Sequence, residues 1–545
     1  MSLPPLVWCS DSSASPDAPP PRPPGSACYE CLGVPELFDM ILREVLSEGD
    51  GKGSLASVAS TSKALYSGAI AVLWEDMERL DPFLDLIPEK VWDYVRAEEE
   101  PERAWRRVFH RNKSILHRIQ WYGQHIKRVA WCLEEGRGLS HESTVGLLMH
   151  LPGHIQLFPN VRSFAWTEHG PSDSPSLLNS RLFAHSGLQE LVLNMDLADW
   201  HPLADVLDVL TKQCPRLATL QLVGNVDTPL DVAVSAALAG LIHHSDLAHF
   251  TCTCPLFDEV LLAVAQSTSL KYVDIKMSWY TLDSMVVCLL PTQCFPSVQD
   301  LSLHFEVLDT SSVALLKRLT SETIVKLSLH VMSEVYDDDL LIEHLDALAE
   351  APFAPTLRTI EVHAWRTETL SDEDNSNPCP VTLNTLRPLL GLKQLTHFIV
   401  HAKSFSLASR DIRAIALAFP HLDTLELMPS LALGTEPPAD ALLHLAELCP
   451  HLAVVALPIT TTFGVPGFEE GWASKSRVTT YTIVTSQDLS GDPRLSSYIS
   501  ALFPASLPEM YAASNASGEF EETYVDELKR GQTSGASSAC SRAQS

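Results

Sequence analysis

One short pattern of apolar residues recurs along this chain and constrains its fold more than any other feature. The pattern reads L-x-x-L-x-L, and a clear copy lies in residues 215–222, PRLATLQL. Thirteen copies begin at Ile126, Val161, Leu188, Leu217, Leu247, Leu270, Val298, Ile324, Leu357, Leu395, Leu422, Leu452 and Val478. An internal repeat of this kind indicates an array of similar structural units rather than one compact domain.

Each copy predicts a β-strand with one buried face, because apolar and polar residues alternate over its last residues. Helical patterns precede the strands, as where Leu203, Val206, Leu207 and Leu210 share one helix face before Pro215 ends the helix. One unit cannot bury its apolar face alone, whereas stacked neighbours can. With a mean interval of about 29 residues, we predict an α/β fold over residues 126–511. It is a right-handed leucine-rich-repeat solenoid with parallel strands on the concave side and helices on the convex side.

The chain is strongly acidic, which excludes some classes of partner. It has 545 residues, with 68 Asp and Glu against 38 Lys and Arg, so the formal net charge is −30. Such a surface repels phosphate groups, and we expect no binding of nucleic acid or of an anionic membrane. No apolar run approaches the ~20 residues of a membrane helix, and the proline-rich N-terminus lacks an apolar signal core. We therefore expect a soluble intracellular protein of the cytoplasm, the nucleus or both.

The twelve cysteines could suggest disulfides or metal, but those in the repeats are interpreted as core thiols. Cys214 and Cys449 precede a proline in a slot that Phe158 and Phe419 fill in other repeats. A slot that accepts either residue type is a buried apolar slot. Core thiols also suit a reducing compartment.

No motif for metal binding or catalysis stands out. Cys28 and Cys31 form a C-x-x-C pair without a second pair at zinc-finger spacing, which is typical of two ordinary cysteines. The sequence lacks a phosphate-binding P-loop, a zinc-protease motif, a nucleophile elbow and a kinase signature. We therefore predict a protein that is not an enzyme, with no catalytic residues, no metal and no cofactor.

Ahead of the repeats, residues 32–80 predict a module of three short helices. Pro35 suits the first turn of the first helix. The apolar stripes of the three helices include Leu37, Phe38, Ile41, Leu42, Leu55, Val58 and Leu65, and the third helix ends at Trp74. Three short helices make a very small core, and such a module is commonly stabilised by a partner.

The module resembles the F-box motif. The first helix reads apolar-P-E-L-x-x-x-I-L, the second begins S-L-A-S-V, and the segment closes with L-W. The chain looks like a fungal member of the family in which an F-box precedes leucine-rich repeats. This resemblance implies the substrate-recognition subunit of an SCF-type E3 ubiquitin ligase. The F-box would dock on the adaptor subunit, and through it on a cullin, while the repeats bind a protein substrate. The adaptor-binding residues implied are Val34, Pro35, Leu37, Phe38, Ile41, Leu42, Leu55, Val58, Leu65 and Trp74.

A second interpretation keeps the repeats and changes the role of the three helices. They would only cap the solenoid, and the chain would be a non-enzymatic leucine-rich-repeat interaction scaffold with no ligase role. The two interpretations differ in whether the apolar stripe of the first helix is exposed, because an exposed apolar patch marks a docking surface.

The remaining segments are predicted from composition. Residues 1–31 read as a disordered proline-rich leader and residues 512–545 as a disordered tail. Residues 81–125 read as a helical linker or cap, and its basic block at 103–118 is either a contact for an acidic partner or a solvated helix face. The acidic, turn-rich loop 367–380 is predicted to project from the solenoid.

Four histidines hold the same slot in four consecutive repeats, directly after the last apolar residue of a strand. They are His304, His330, His363 and His401. Because adjacent parallel strands lie ~4.8 Å apart, the pattern predicts a ladder on the concave face. One interpretation is a groove that gains positive charge near pH 6 and attracts an acidic or phosphorylated segment; the other is four ordinary surface histidines. The predicted substrate-binding residues of the concave face are His304, Lys326, His330, Glu361, His363, His397 and His401.

Overall fold

The computed structural model divides the chain into two compact units, Met1–Asp76 and Met77–Ser545. It describes residues 32–79, 81–97, 107–108, 112–133, 157–168, 183–195, 201–224, 230–277, 289–291, 293–331, 338–364, 380–429, 434–460, 474–484, 493–504 and 507–508. The predicted leader and tail, the C-x-x-C pair, much of the basic block, and residues 367–379 of the predicted loop lie outside these described residues.

The first unit contains three helices: α1 (Pro35–Ser47), α2 (Gly51–Thr61) and α3 (Lys63–Leu73). Its core is formed by Leu42, Leu55, Ala59, Ala69, Ile70, Val72 and Trp74, all of them buried. Helices α1 and α3 cross closely at Gly68, where a Cβ atom would lie 2.6 Å from the Phe38 ring. Arg43 of α1 pairs with Glu75 at 2.6 Å, which ties the first helix to the end of the third.

The second unit begins with three further helices, α4 (Asp81–Leu84), α5 (Glu89–Ala97) and α6 (Lys113–Gly123). A two-residue strand, β1 (Asp76–Met77), lies at the boundary between the units. Gly123 is required where it stands, because a Cβ atom there would lie 2.1 Å from the Leu157 carbonyl oxygen.

Parallel strands then follow one another across a single sheet in chain order, and strands β11, β13 and β15 form a separate small sheet. The strands of the large sheet are β1 and, after it, β2 (Arg128–Leu133), β3 (Ser163–Glu168), β4 (Glu190–Met195), β5 (Thr219–Gly224), β6 (His249–Leu256), β7 (Tyr272–Met277), β8 (Asp300–Phe305), β9 (Lys326–Val331), β10 (Thr359–Ala364), β12 (His397–Ala402), β14 (Thr424–Pro429), β16 (Val454–Pro458), β17 (Thr480–Val484) and β18 (Leu507–Pro508). Those of the small sheet are β11 (Val381–Thr382), β13 (Phe405–Ser406) and β15 (Gly434–Thr435).

Helices connect many of these strands. They are α7 (His201–Gln213), α8 (Val232–His244), α9 (Asp258–Gln266), α10 (Thr310–Arg318), α11 (Asp338–Ala349), α12 (Leu383–Leu386) with the 3₁₀ helix Arg387–Gly391, α13 (Ser409–Ala418), α14 (Ala441–Leu448) and α15 (Pro493–Leu502). The helix layer packs on one face of the sheet, as where the Phe305 ring of β8 meets the His344 ring of α11 at 6.4 Å between centroids.

The repeat pattern predicted every one of the long strands β2 to β17. Each strand begins two residues after the first residue of its L-x-x-L-x-L copy. All thirteen of those first residues are at most 1% exposed, so they form a continuous apolar column through the array. The predicted helix face at Leu203, Val206, Leu207 and Leu210 is buried as well. The α/β leucine-rich-repeat solenoid is thereby confirmed.

Five of the described cysteines are core thiols, and among them are Cys214 and Cys449, as the repeat pattern predicted. Cys214, Cys252, Cys254, Cys294 and Cys449 are all buried and free. Burial raises the pKa of the thiols of Cys214, Cys294 and Cys449 to about 11, because a thiolate loses its hydration in an apolar slot.

Two further findings concern the described part of the chain alone. No helix within it is both long and apolar enough to span a membrane. No three of its His, Cys, Asp or Glu side chains cluster in a way that would hold a metal ion.

Candidate functional site

A row of exposed apolar side chains runs along helix α1 and is called the α1 stripe here. It consists of Val34, Leu37, Met40 and Ile41, which are 40%, 40%, 66% and 41% exposed. Spacings of three and four residues place these side chains on one side of the helix. Ten large apolar side chains among the described residues are at least 38% exposed, and four of these ten lie within the eight positions 34–41. The α1 stripe is therefore a local concentration of exposed apolar surface.

The structure divides the predicted adaptor-binding residues into surface and core. Pro35 is exposed with the stripe, and Phe38, Val58 and Leu65 are half-buried. Leu42, Leu55 and Trp74 are at most 5% exposed, so their assignment as direct contacts is corrected: they hold the three helices together. Met40, the most exposed member of the stripe, was missed, although it stands three residues after Leu37.

The predicted alignment of the four histidines is confirmed in the second unit. His304, His330, His363 and His401 are direct neighbours in the registers of β8, β9, β10 and β12. The rings of His304 and His330 stack at 4.1 Å between centroids, and those of His330 and His363 at 4.4 Å, both nearly parallel. The His401 ring meets His363 edge-on at 4.6 Å. These four residues are called the histidine row; their role in binding a substrate stays a prediction.

A carboxylate contacts each end of the histidine row. Asp274 Oδ1 lies 2.8 Å from His304 Nε2, and Glu426 Oε2 lies 3.5 Å from His401 Nε2. Register explains this arrangement, since Asp274 and Glu426 belong to the row of side chains two residues earlier in each strand. Alternation puts both rows on the same face of the sheet. Neither carboxylate was singled out from the sequence, although the aligned repeats place both in that row.

Glu361 lies beside the middle of the histidine row and is itself 7% exposed. It accepts a hydrogen bond from Ser328 Oγ at 2.7 Å and lies 2.9 Å from Lys326 Nζ. His397, also predicted for this face, lies at the start of β12, four residues before His401, with its Nε2 at 3.8 Å from Asp423. The structure thus brings Lys326 and Glu361 together, while His397 is set apart from the row.

The two central imidazoles are held neutral. Burial lowers the pKa of His330 well below its ordinary value, and it lowers the pKa of His363 to about 3, with neighbouring imidazoles and Lys326 adding to both shifts. The physical reason is that stacked rings exclude water from one another and repel each other's protons. The gain of positive charge near pH 6 that one interpretation gives the groove therefore does not include these two imidazoles.

Burial also raises the pKa of one carboxyl group and of one phenol on the same face. Burial raises the pKa of Asp300 to about 6, which Lys326 counteracts and the carboxylates of Glu361 and Asp274 reinforce. The pKa of Tyr272 is raised as well, mainly by burial. Both shifts show that side chains crowd this face closely enough to disfavour an ionised group without a counter-charge.

Neither serine–histidine contact among the described residues has the geometry of a nucleophilic relay. Ser302 Oγ and Asp274 both lie against the same nitrogen of His304, at 3.3 and 2.8 Å. A relay needs the nucleophile and the carboxylate on opposite ring nitrogens. Ser312 Oγ lies 2.6 Å from His344 Nε2, but both residues are completely buried and link helices α10 and α11.

Comparison with known proteins finds similarity only among solved structures. No family model matches the sequence, and no curated protein matches it. Among solved structures, it is similar to a chain of the Rad7 and Elc1 complex in yeast, with 14% identity and a TM-score of 0.33 over 67% of this chain and 77% of that one.

Two bacterial structures are similar to this chain to about the same degree. An internalin, InlF, from Listeria monocytogenes gives 16% identity and a TM-score of 0.32 over 66% of this chain and 88% of that one. The leucine-rich repeat-containing protein LegL7 from Legionella pneumophila gives 13% and 0.27 over 67% and 95%. Because all three TM-scores are low, we take nothing about binding partners from these similarities.

Proposed function

We propose that this chain is the substrate-recognition subunit of an SCF-type E3 ubiquitin ligase. The helical module of residues 32–80 docks the adaptor subunit, and through it a cullin, while the repeats hold a protein substrate. The subunit itself is not catalytic and works in the cytoplasm or the nucleus. Its F-box and its place in the fungal F-box and leucine-rich-repeat family belong to the same proposal.

The observation that carries this proposal is the exposed α1 stripe on a small helical unit. Leu37 and Ile41 expose about two fifths of their surface, while Leu42 beside them is buried. Helix α1 therefore presents apolar side chains on two sides, one to its own core and one outward. An outward apolar side on a three-helix module is stabilised by burial against a partner.

The alternative is an interaction scaffold without a ligase role, in which the helices only cap the repeats. A cap uses its apolar stripe to cover the first repeat, so that stripe is buried within the chain. Retention or loss of the adaptor in a variant of the α1 stripe decides between the docking surface and the cap.

The test is co-purification of the adaptor with a double variant, Leu37→Ala with Ile41→Ala. Full burial of each such side chain contributes ~1.5–3 kcal/mol, so we expect adaptor binding to weaken at least about tenfold. The circular dichroism of the protein stays nearly unchanged, because neither side chain belongs to the core of the module.

A matched control removes two exposed apolar side chains from helices of the repeats, Val232→Ala with Leu417→Ala. These residues are 67% and 54% exposed. The control should retain the adaptor. If the adaptor co-purifies equally with wild type and with the α1 variant, the α1 stripe is not its docking surface. If it co-purifies with neither protein, the chain is a scaffold and not a ligase subunit.

A further inference from the structure

The face of strands β7 to β14 opposite the helices carries more carboxylates than lysines. Its ionised side chains point away from the helices, in the rows of Tyr272, Asp274 and Lys276 as aligned by register. The carboxylates are Asp274, Asp300, Glu361 and Glu426, and the lysines are Lys276 and Lys326. Together with the histidine row, these six residues are called the carboxylate–imidazole face.

The histidine row does not reverse this excess. His330 and His363 are neutral at pH 7, because burial and their neighbours lower the pKa of each. Beside these two neutral imidazoles, four carboxylates stand against two lysines, one of which is engaged by Glu361. A chain with formal charge −30 adds a negative field around the face.

The carboxylates and neutral imidazoles of the face offer hydrogen-bond acceptors. Carboxylates offer only acceptor oxygens, and each neutral imidazole keeps one acceptor nitrogen. His304 directs Nε2 at Asp274, so in its neutral form Nδ1 is the ring nitrogen that accepts. A guanidinium group matches such a surface, since it offers five donors in a planar fork and stacks on flat rings.

We propose that the carboxylate–imidazole face binds a segment of the target protein that presents arginine or lysine side chains. One part of this inference rests on the proposed function, namely that the repeats hold the target protein. The basic character of the bound segment is inferred from charge complementarity. An acidic or phosphorylated segment meets repulsion from Asp274, Glu361 and Glu426 on the same face.

The face has a characteristic dependence on pH. Its titratable groups are Tyr272, Asp274, Lys276, Asp300, His304, Lys326, His330, Glu361, His363, His397, His401 and Glu426. Any of them that titrates between pH 7.5 and 5.5 takes up a proton as pH falls and so makes the face more positive. Asp300 does so near pH 6. Affinity for a basic segment should therefore fall on acidification, and affinity for an acidic segment should rise.

The experiment measures binding of short synthetic peptides to the purified full-length protein at pH 7.5 and low salt. The probes are an arginine-bearing peptide, the same peptide with glutamine at each arginine, and a phosphoserine peptide. We expect the arginine peptide to bind best. The face variant, Asp274→Asn with Glu426→Gln, should weaken its binding about tenfold or more. Glu361 is kept, because it also holds Lys326 and Ser328 in place.

A charge-matched control separates this face from the acidity of the whole chain. Asp208→Asn with Asp346→Asn removes two exposed carboxylates from helices α7 and α11. The control should bind the arginine peptide as wild type does, and thermal unfolding should show both variants to be folded. Equal loss in both variants means a non-specific field and overturns the proposal. So does stronger binding of the phosphoserine peptide, or equal binding of the glutamine peptide.

Adaptor co-purification distinguishes a failure of this inference from a failure of the proposed function. Loss of peptide binding in the face variant, with no adaptor bound to wild type, supports the basic segment and removes the ligase role. Adaptor binding that depends on the α1 stripe, without face-dependent peptide binding, leaves the ligase role and overturns the inference.

Discussion

At the scale of single residues, His363 makes stability depend on pH. Burial and its neighbours lower its pKa from 6.5 to about 3 in the folded chain. Between those values the unfolded chain binds a proton at this position and the folded chain does not. The free energy of unfolding should therefore fall as pH decreases from about 6.5 to about 3. The contribution is at most ~1.4 kcal/mol per pH unit.

The substitution His363→Gln removes this contribution, and urea unfolding of both proteins over that pH range measures it. The variant should lose stability on acidification less steeply than wild type. His421→Gln, at an exposed position, is the matched control and should follow wild type. Parallel pH profiles for wild type and His363→Gln would mean that His363 takes up its proton alike in the folded and unfolded chain.

At the scale of helices and strands, the contact of α1 with α3 depends on one glycine. A Cβ atom at Gly68 would lie 2.6 Å from the Phe38 ring, so Gly68→Ala must displace that ring or push the two helices apart. We expect a loss of ~1–3 kcal/mol for this overpacking, partly offset by better helix propensity. Hydrogen exchange of residues 35–73 in the full chain measures it as faster exchange.

The control is Gly240→Ala in helix α8, where a Cβ atom would meet nothing within 4 Å. That change should be neutral or stabilising by up to ~1 kcal/mol, because only the helix propensity changes. Unchanged exchange of residues 35–73 in Gly68→Ala would contradict the close crossing of the two helices.

Elements were more predictable from sequence than the surfaces they form. A leucine at a fixed place in each repeat is enough to locate a strand, because that place is buried in every unit, as at Leu217 and Leu422. The alignment of His304 with His330 followed from the same register. Which side of helix α1 faces its own core did not follow, since Ile41 and Leu42 are equally apolar in sequence.

The size of the pKa shifts of the two central histidines could not be predicted from the sequence either. Alternation places His330 and His363 on the face opposite the helices, which suggests water around them. Their burial comes from ring stacking between neighbouring repeats, and that depends on side-chain orientation. Asp300 is a similar case, since its raised pKa reflects crowding by several strands at once.

At the scale of the whole molecule, the array should tolerate shortening at a repeat boundary. Removing the chain from Pro420 onward deletes β14, β16 and β17 and uncovers one side of the unit that contains β12. Each repeat contacts only its neighbours, so stability should fall by one interface contribution rather than collapse. Circular dichroism and urea unfolding of the shortened chain measure this.

A cut inside a repeat is the comparison for that experiment. Ending the chain before Ile399 removes most of β12 and leaves its repeat without a complete strand. This second truncation should be clearly less stable than the first. A first truncation that is wholly unfolded would show that the repeats fold only as one cooperative block.

The register of the strands also sets a length scale for whatever lies across the carboxylate–imidazole face. Strands β7, β8, β9, β10, β12 and β14 are consecutive neighbours in the sheet. At ~4.8 Å between strands, the distance from Asp274 to Glu426 is about 24 Å. An extended peptide covers ~3.4 Å per residue, so about seven residues reach from one end carboxylate to the other. A linear motif of that size, with a cation near each end, is therefore the smallest ligand that contacts both ends of the histidine row.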